Sequence, residues 1–224
     1  MSNPFFDNSG NFNWSSIAAL TAIGVAIISV CHNRKVLEQQ KKLNDENFEG
    51  NIVSKARIEW IQEVRKKSVD FIATCHDFFR YAKSSNNEND KSKILELKSA
   101  IEKNATLLIL YFGPDRGVDK NNDFIVYLIT ILSQKIINKD SYYDEEHILD
   151  LENQVDVLRD FLRIYFKAEW KRANREISDK EVQKYLETHK SYIRIMKLYE
   201  SGLASHEESI DYFYSNLERD FTQQ

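Results

Sequence analysis

Glycine, proline and cysteine are all scarce in this sequence of 224 residues, which contains six Gly, two Pro and two Cys. So few glycines and prolines exclude collagen-like and low-complexity chains and turn-rich all-β folds. Cys31 and Cys75 lie far apart, which indicates neither a disulfide framework nor a thiolate metal site. Apolar residues make up 42% of the chain, enough to form a packed core.

The sequence also lacks an excess of positive charge. It has 31 Lys and Arg against 35 Asp and Glu, for a net charge of -4. Such a chain has no overall positive field to hold nucleic acid non-specifically, so nucleic acid is not an expected partner. Residues 1–33 contain no Lys or Arg at all.

An apolar stretch lies near the amino end, where residues 17–31 read IAALTAIGVAIISVC. A helix of about 20 residues spans roughly 30 Å, the thickness of a hydrocarbon core. Trp14 lies at one end of such a helix, where an indole favours the headgroup level. The sequence therefore predicts a transmembrane helix over residues 14–33, in contact with membrane lipid, after an external segment over residues 1–13.

This apolar stretch allows two other interpretations, a cleaved signal peptide and a buried helix. A cleaved signal peptide requires a positively charged beginning, which residues 1–33 do not supply. A buried helix of a soluble protein is compatible with the short length of the strongly apolar run. For a membrane span, the basic residues that follow it predict a cytoplasmic carboxyl side. These juxtamembrane residues are Arg34, Lys35, Lys41 and Lys42.

Small residues recur every four positions in the predicted span, at Ala18, Ala22 and Ala26. Such a stripe lets membrane helices approach closely, so it predicts self-association through the span and an oligomeric protein. The alternative is that alanine is simply common in membrane helices.

The rest of the chain reads as helix. Residues 34–51 form a basic stalk with a predicted break or kink at Gly50-Asn51. Apolar residues at three-to-four spacing predict helices over about 52–83, 93–112, 122–138 and 144–176, with a polar loop at 84–92 and turn chemistry at 113–123. We therefore predict an all-α protein, with a single transmembrane helix followed by a cytoplasmic multi-helix bundle over residues 52–224.

Two capping boxes predict where the last helices begin. Ser178 precedes Glu181 by three residues, and Ser205 precedes Glu208 by three. Gly202 lies where a left-handed helix cap is expected before the second box.

Two apolar segments, residues 106–112 and 124–134, allow two interpretations. They are either a short re-entrant hairpin in the membrane or the central helices of the bundle, and both are too short to span a bilayer. We favour the central helices.

Catalytic motifs are absent from the sequence: it contains no GxxxxGK[ST], GxGxxG, HExxH or GxSxG pattern. His76-Asp77 is a pair that can do acid–base chemistry, although a solvated pair is far commoner. The acidic run before His147 is explained by the dipole of the helix that begins there. The sequence therefore predicts no catalytic, cofactor or metal-binding residue.

A basic face is formed by Arg163, Lys167 and Lys171, which are spaced by four. A solvated helix face explains it, and the functional alternative is an anionic partner, either lipid headgroups or another protein.

Residues 55–65 read KARIEWIQEVR. This segment resembles uncharacterised bacterial and phage-related membrane proteins, in which one amino-terminal span is followed by Arg-Ile-x-Trp-Ile-x-x-Val-Arg. The resemblance covers the span and roughly the next 50 residues, and it implies a bacterial or phage origin but no activity. From the residues alone, Trp60 and Val64 are core positions, Ile61 flanks them, and Arg57 and Arg65 line an adjacent face.

Three functions compete on this evidence. The first is a membrane-anchored helical scaffold or sensor without catalytic activity, bound to an unknown cytoplasmic protein. The second is a membrane-acting effector, such as a phage-defence, toxin or lysis protein, whose spans assemble to perturb the membrane. The third is an enzyme without a recognisable motif, built on His76-Asp77 or on the run Glu145-Glu146-His147.

Overall fold

The computed structural model describes Phe6 and residues 14–84, 88–113, 119–139 and 143–222, and they form an all-α protein. Its seven α-helices are α1 (Trp14–Phe48), α2 (Ser54–Ser84), α3 (Glu88–Ile109), α4 (Lys120–Ile137), α5 (Glu145–Ala173), α6 (Val182–Glu187) and α7 (Lys190–Thr222). Shorter turns of helix occur at Glu49–Val53, Leu110–Phe112 and Asp179–Glu181. The all-α prediction is confirmed.

The chain divides into two compact units, Met1–Lys55 and Ala56–Gln224. In the first unit, α1 contains a stretch within Ile17–Asp45 that is long and apolar enough to cross a membrane. The hydroxyl of Thr21 lies 3.0 Å from the carbonyl oxygen of Ile17 and 2.9 Å from that of Ala18, so it is satisfied by its own helix. Residues 1–5 and 7–13 of the predicted external segment lie outside the described residues.

The predicted stalk continues α1 as one helix to Phe48. The expected break at Gly50-Asn51 takes the form of a π-helical turn, Glu49–Val53, before α2 begins at Ser54. In such a wide turn each backbone N–H bonds to the fifth carbonyl before it, so the hydrogen-bond ladder changes register without the chain leaving the helix.

The second unit is a helical domain with one hydrophobic core. Its largest fully buried side chains include Phe71 and Phe78 from α2, Phe124 from α4 and Phe161 from α5. Helix α4 packs against α3, α5 and α7. Residues of both apolar segments that allowed a re-entrant hairpin, Leu108 of α3 among them, are buried in this core. The central-helix interpretation is therefore the one that the domain supports.

Polar side chains fix where the helices begin. Asp119 accepts hydrogen bonds from the backbone N–H groups of Asn121 and Asn122 at the start of α4. Asp144 does the same for the N–H of His147 at the start of α5, at 2.8 Å. Such caps satisfy donors that have no partner inside the helix.

Two predicted connections are modified by the structure. Helix α3 begins at Glu88, so the second half of the predicted polar loop 84–92 is helical, and residues 85–87 lie outside the described residues. In the predicted turn 113–123, Gly113 has a positive φ of 64° and α4 begins at Lys120. Residues 114–118 of that turn are not described.

The second capping box is a wrong prediction, whereas the first is confirmed. Ser178 and Glu181 form the predicted reciprocal bonds. Ser205, however, lies in the middle of α7, which is continuous from Lys190 to Thr222. Gly202 is likewise helical, and it lies against Tyr127 of α4: a Cβ at this position would overlap the Tyr127 hydroxyl. The glycine therefore allows two helices to approach closely.

The structure also corrects the predicted core position of Trp60. Ile61 and Val64 are completely buried, while Trp60 is half-buried and its ring N–H donates to the carbonyl oxygen of Tyr111 at 3.3 Å. An indole has a polar N–H that needs a partner, which favours the edge of the core over its centre. The residue expected to flank the core, Ile61, thus lies inside it.

Candidate functional site

An ionic cluster with one buried member, Glu169, joins α5 to the turn that follows it. The carboxylate of Glu169 lies 3.2 Å from the guanidinium of Arg172, and only 6% of its side chain is exposed. Arg172 also donates to Asp179 at 2.6 Å, and Arg57 of α2 lies 3.9 Å from the same carboxylate. We call these four residues the Glu169 cluster.

Burial sets the electrostatics of this cluster. It raises the pKa of Glu169, and the opposing effect of the Arg172 charge is smaller. The pKa of Tyr165, one turn earlier on α5, is also raised by burial. Its hydroxyl donates to the side-chain oxygen of Asn122 at 2.8 Å, which ties α5 to the start of α4.

A second polar network lies next to the start of α4. The hydroxyl of Tyr192 donates to the amide oxygen of Asn121 at 2.7 Å, and the Asn121 amide donates to Gln183 at 3.2 Å. Both Asn121 and Tyr192 are buried. The network therefore connects α4, α6 and α7 through polar groups that satisfy one another.

Both networks join helices of the domain through hydrogen bonds between side chains. Neither of the two cavities described below is lined by Glu169, Tyr165 or Tyr192. In the described ranges, no group of three or more His, Cys, Asp or Glu is placed to hold a metal ion.

The pairs considered for catalysis are dispersed on the surface. Asp77 pairs with Arg80 at 3.3 Å, and the ring of His76 meets the ring of Phe79 edge-on. The imidazole of His147 lies 3.0 Å from the carboxylate of Asp144, the N-cap of α5. Neither cavity is lined by any of these residues.

A groove runs between α4 and α7, and sequence reasoning missed it. It consists of two adjoining cavities of about 480 Å³ each, which share Asp123, Leu203 and Glu207. We call it the α4–α7 groove. Its residues come from helices far apart in the sequence. The sequence therefore indicated this groove only through the run of apolar residues along the last helix.

The residues predicted for the span lie as the helical pattern requires. Ala18, Ala22 and Ala26 are exposed on one face of α1. The juxtamembrane basic residues Arg34, Lys35, Lys41 and Lys42 are also exposed on α1.

The predicted basic face of α5 is partly neutralised by neighbours. Arg163 lies 3.7 Å from Asp160, and Lys171 pairs with Glu176 and lies over the ring of Tyr185. Lys167, between them, is exposed. These local pairs reduce the charge that the face offers to an anionic partner.

Comparison with known proteins identifies no relative: no protein-family model, no curated protein and no solved structure matches this chain. The resemblance of residues 55–65 to single-span bacterial and phage-related proteins stays a prediction.

Proposed function

We propose that this protein is a membrane-anchored interaction module. In this proposal α1 spans the cytoplasmic membrane of a bacterium, and the helical domain lies in the cytoplasm and binds a protein partner. The span also mediates self-association through Ala18, Ala22 and Ala26. No catalytic activity is part of the proposal.

The observation that carries the proposal is the exposure of the apolar side chains of α1. Ile23 is 57% exposed, Val25 63% and Ile28 69%, although they point to different sides of the helix. A helix that is apolar all round is found either inside a large core or inside a membrane. The Thr21 hydroxyl, bonded within its own helix, fits a lipid environment, where no water is available to satisfy it.

Membrane extraction tests the anchor. The full chain, expressed in bacteria, is expected to stay in the membrane pellet after alkaline carbonate treatment. The variant Ile23→Lys/Ile27→Lys is expected in the supernatant, because each central lysine opposes insertion by about 3 kcal/mol. The matched variant Ile23→Leu/Ile27→Leu keeps the apolar surface and serves as the control. Release of all three proteins by carbonate would refute the anchor.

Protease accessibility tests the orientation of the span. Protease added to intact spheroplasts should leave the helical domain uncut, whereas the same protease should cut the domain after lysis. Cleavage of the domain in intact spheroplasts would refute the cytoplasmic location.

Photo-crosslinking tests whether the domain binds a partner. A site-specific photo-crosslinker in the α4–α7 groove of the full chain should give a discrete adduct with one protein.

A second candidate function is a membrane-acting effector, and the exposed alanine stripe favours it. If the spans assemble into a lesion, the full chain should depolarise expressing cells, as measured with a potential-sensitive dye. A chain lacking residues 1–33 should not do so. Ala22→Leu/Ala26→Leu should weaken the effect, because larger side chains keep the helices apart. An unchanged membrane potential under strong induction would refute this candidate.

A further inference from the structure

The α4–α7 groove has an apolar floor and an acidic rim. Val126 of α4 faces Leu203 and Ile210 of α7 across the floor. Asp123, Glu207 and Asp211 supply carboxylates around it. Two lysines, Lys120 and Lys197, line only the other cavity, so the end of the groove near Ile210 carries three carboxylates beside the half-buried imidazole of His206.

The apolar surface continues along α7 beyond the groove. Phe213 follows Ile210 by three residues and Tyr214 follows it by four, so all three lie on one side of the helix. Phe213 is 59% exposed and Tyr214 is 54% exposed, and their rings contact each other edge-on. Adjacent exposed aromatic residues on a helix face are typical of a surface that a partner covers.

The negative charge of this surface indicates which kind of binding partner fits the groove. The two cavities are lined by four carboxylates, Asp123, Glu200, Glu207 and Asp211, and by two lysines, Lys120 and Lys197. A second copy docked through the same face would bring together two surfaces that each have an excess of negative charge, which is unfavourable. Nucleic acid is repelled for the same reason. A helix with an apolar stripe flanked by Lys or Arg complements both the floor and the rim.

We propose that the α4–α7 groove, together with Phe213 and Tyr214, binds a basic amphipathic helix of a partner protein. The inference deepens the proposed function, on which it rests, by specifying the chemistry of the partner. The apolar stripe of the bound helix lies on Val126, Leu203 and Ile210, and its basic side chains pair with the carboxylates of the rim.

The test measures binding of a fluorescent 18-residue helical peptide of Leu and Lys to the full chain in phosphatidylcholine nanodiscs. Fluorescence anisotropy is corrected for binding to empty nanodiscs. The Leu/Lys peptide should bind, and a Leu/Glu peptide of the same pattern should not. Glu207→Lys/Asp211→Lys should weaken binding at least tenfold, and Phe213→Ala/Tyr214→Ala should do so by about tenfold.

The matched control is Glu63→Lys/Asp70→Lys, which makes the same change of net charge on exposed positions of α2. It should bind the peptide like the unmodified chain. Helical circular dichroism checks that every variant is folded. Equal binding by the groove variant and the control would overturn the proposal, as would equal binding of the Leu/Glu peptide.

A third result would assign the groove to a second copy of the chain. Sedimentation would then reveal an oligomer that Phe213→Ala/Tyr214→Ala dissociates, and the proposal would be wrong. Failure of peptide binding while the chain remains in carbonate-washed membranes would refute this partner chemistry and leave the anchor in place.

Discussion

Glu169 is a carboxylate on the buried side of α5, and its charged neighbour Arg172 lies 3.2 Å away. The next residue, Trp170, is 37% exposed, whereas Glu169 is buried. Glu169 follows Tyr165 by four residues and Leu162 by seven, so helical spacing places it on the same face as these residues. Its charge argued against burial, because a sequence does not reveal that the guanidinium of Arg172 lies beside this carboxylate inside the fold. Which side chain pairs with a buried charged residue depends on the tertiary structure.

The raised pKa of Glu169 gives a pH dependence of known sign. The folded chain binds the Glu169 proton more tightly than the unfolded chain does. The contribution of Glu169 to the free energy of unfolding therefore falls as pH rises from about 4 through the raised pKa. Glu169→Gln has no proton to lose, so its stability relative to the unmodified chain should increase over this range.

Urea unfolding of both chains across a pH series measures that difference. Glu146→Gln removes an exposed carboxylate from the same helix and serves as the control. Identical pH dependence of stability in Glu169→Gln and the unmodified chain would contradict the assignment.

At the scale of the element, helical periodicity predicted the central helices well. The predicted helix over 122–138 is α4 (Lys120–Ile137), and that over 144–176 is α5 (Glu145–Ala173). The last helices were divided wrongly, because Gly202 and Ser205 carry local signals of a helix boundary. The structure places the break at Thr188 and His189 instead. Close packing of Gly202 on Tyr127 outweighs the local signal, and such a contact between helices is invisible in one sequence.

Helix packing at this contact predicts the effect of Gly202→Ala. Alanine favours a helix over glycine by about 1 kcal/mol. Here, however, its Cβ would overlap the Tyr127 hydroxyl, and such overpacking costs about 1–3 kcal/mol. We expect a net loss of stability, measured by urea unfolding. Tyr127→Phe should recover most of this loss, because it removes the overlapping oxygen. A stabilising Gly202→Ala in the unmodified background would contradict the close contact.

At the scale of the whole molecule, composition and periodicity predicted the all-α class and the apolar amino-terminal helix. They did not predict the α4–α7 groove or the Glu169 cluster, because both depend on which helix faces are paired. Every core residue among those described lies beyond Lys55, in the second unit. The domain therefore contains its own core, independent of α1.

This separation predicts that residues 54–224 fold alone. Such a protein should unfold in one cooperative transition, with a midpoint within about 3 °C of that of the domain in the full chain. Thermal unfolding followed by circular dichroism measures both. A broad transition without cooperativity in the isolated domain would contradict a self-contained core.

The order of the helices, with α7 made after α2 to α5, has a consequence for biosynthesis. The ribosome completes α2 to α5 before it has made Gly202, and α4 lacks its α7 neighbour until that segment emerges. The helices that contact their neighbours in sequence can associate first, as domains do during synthesis. A product of premature termination before α7 would therefore carry α1 and most of the core but not the α7 side of the groove. Translation through α7 thus decides whether the chain can form the α4–α7 groove at all.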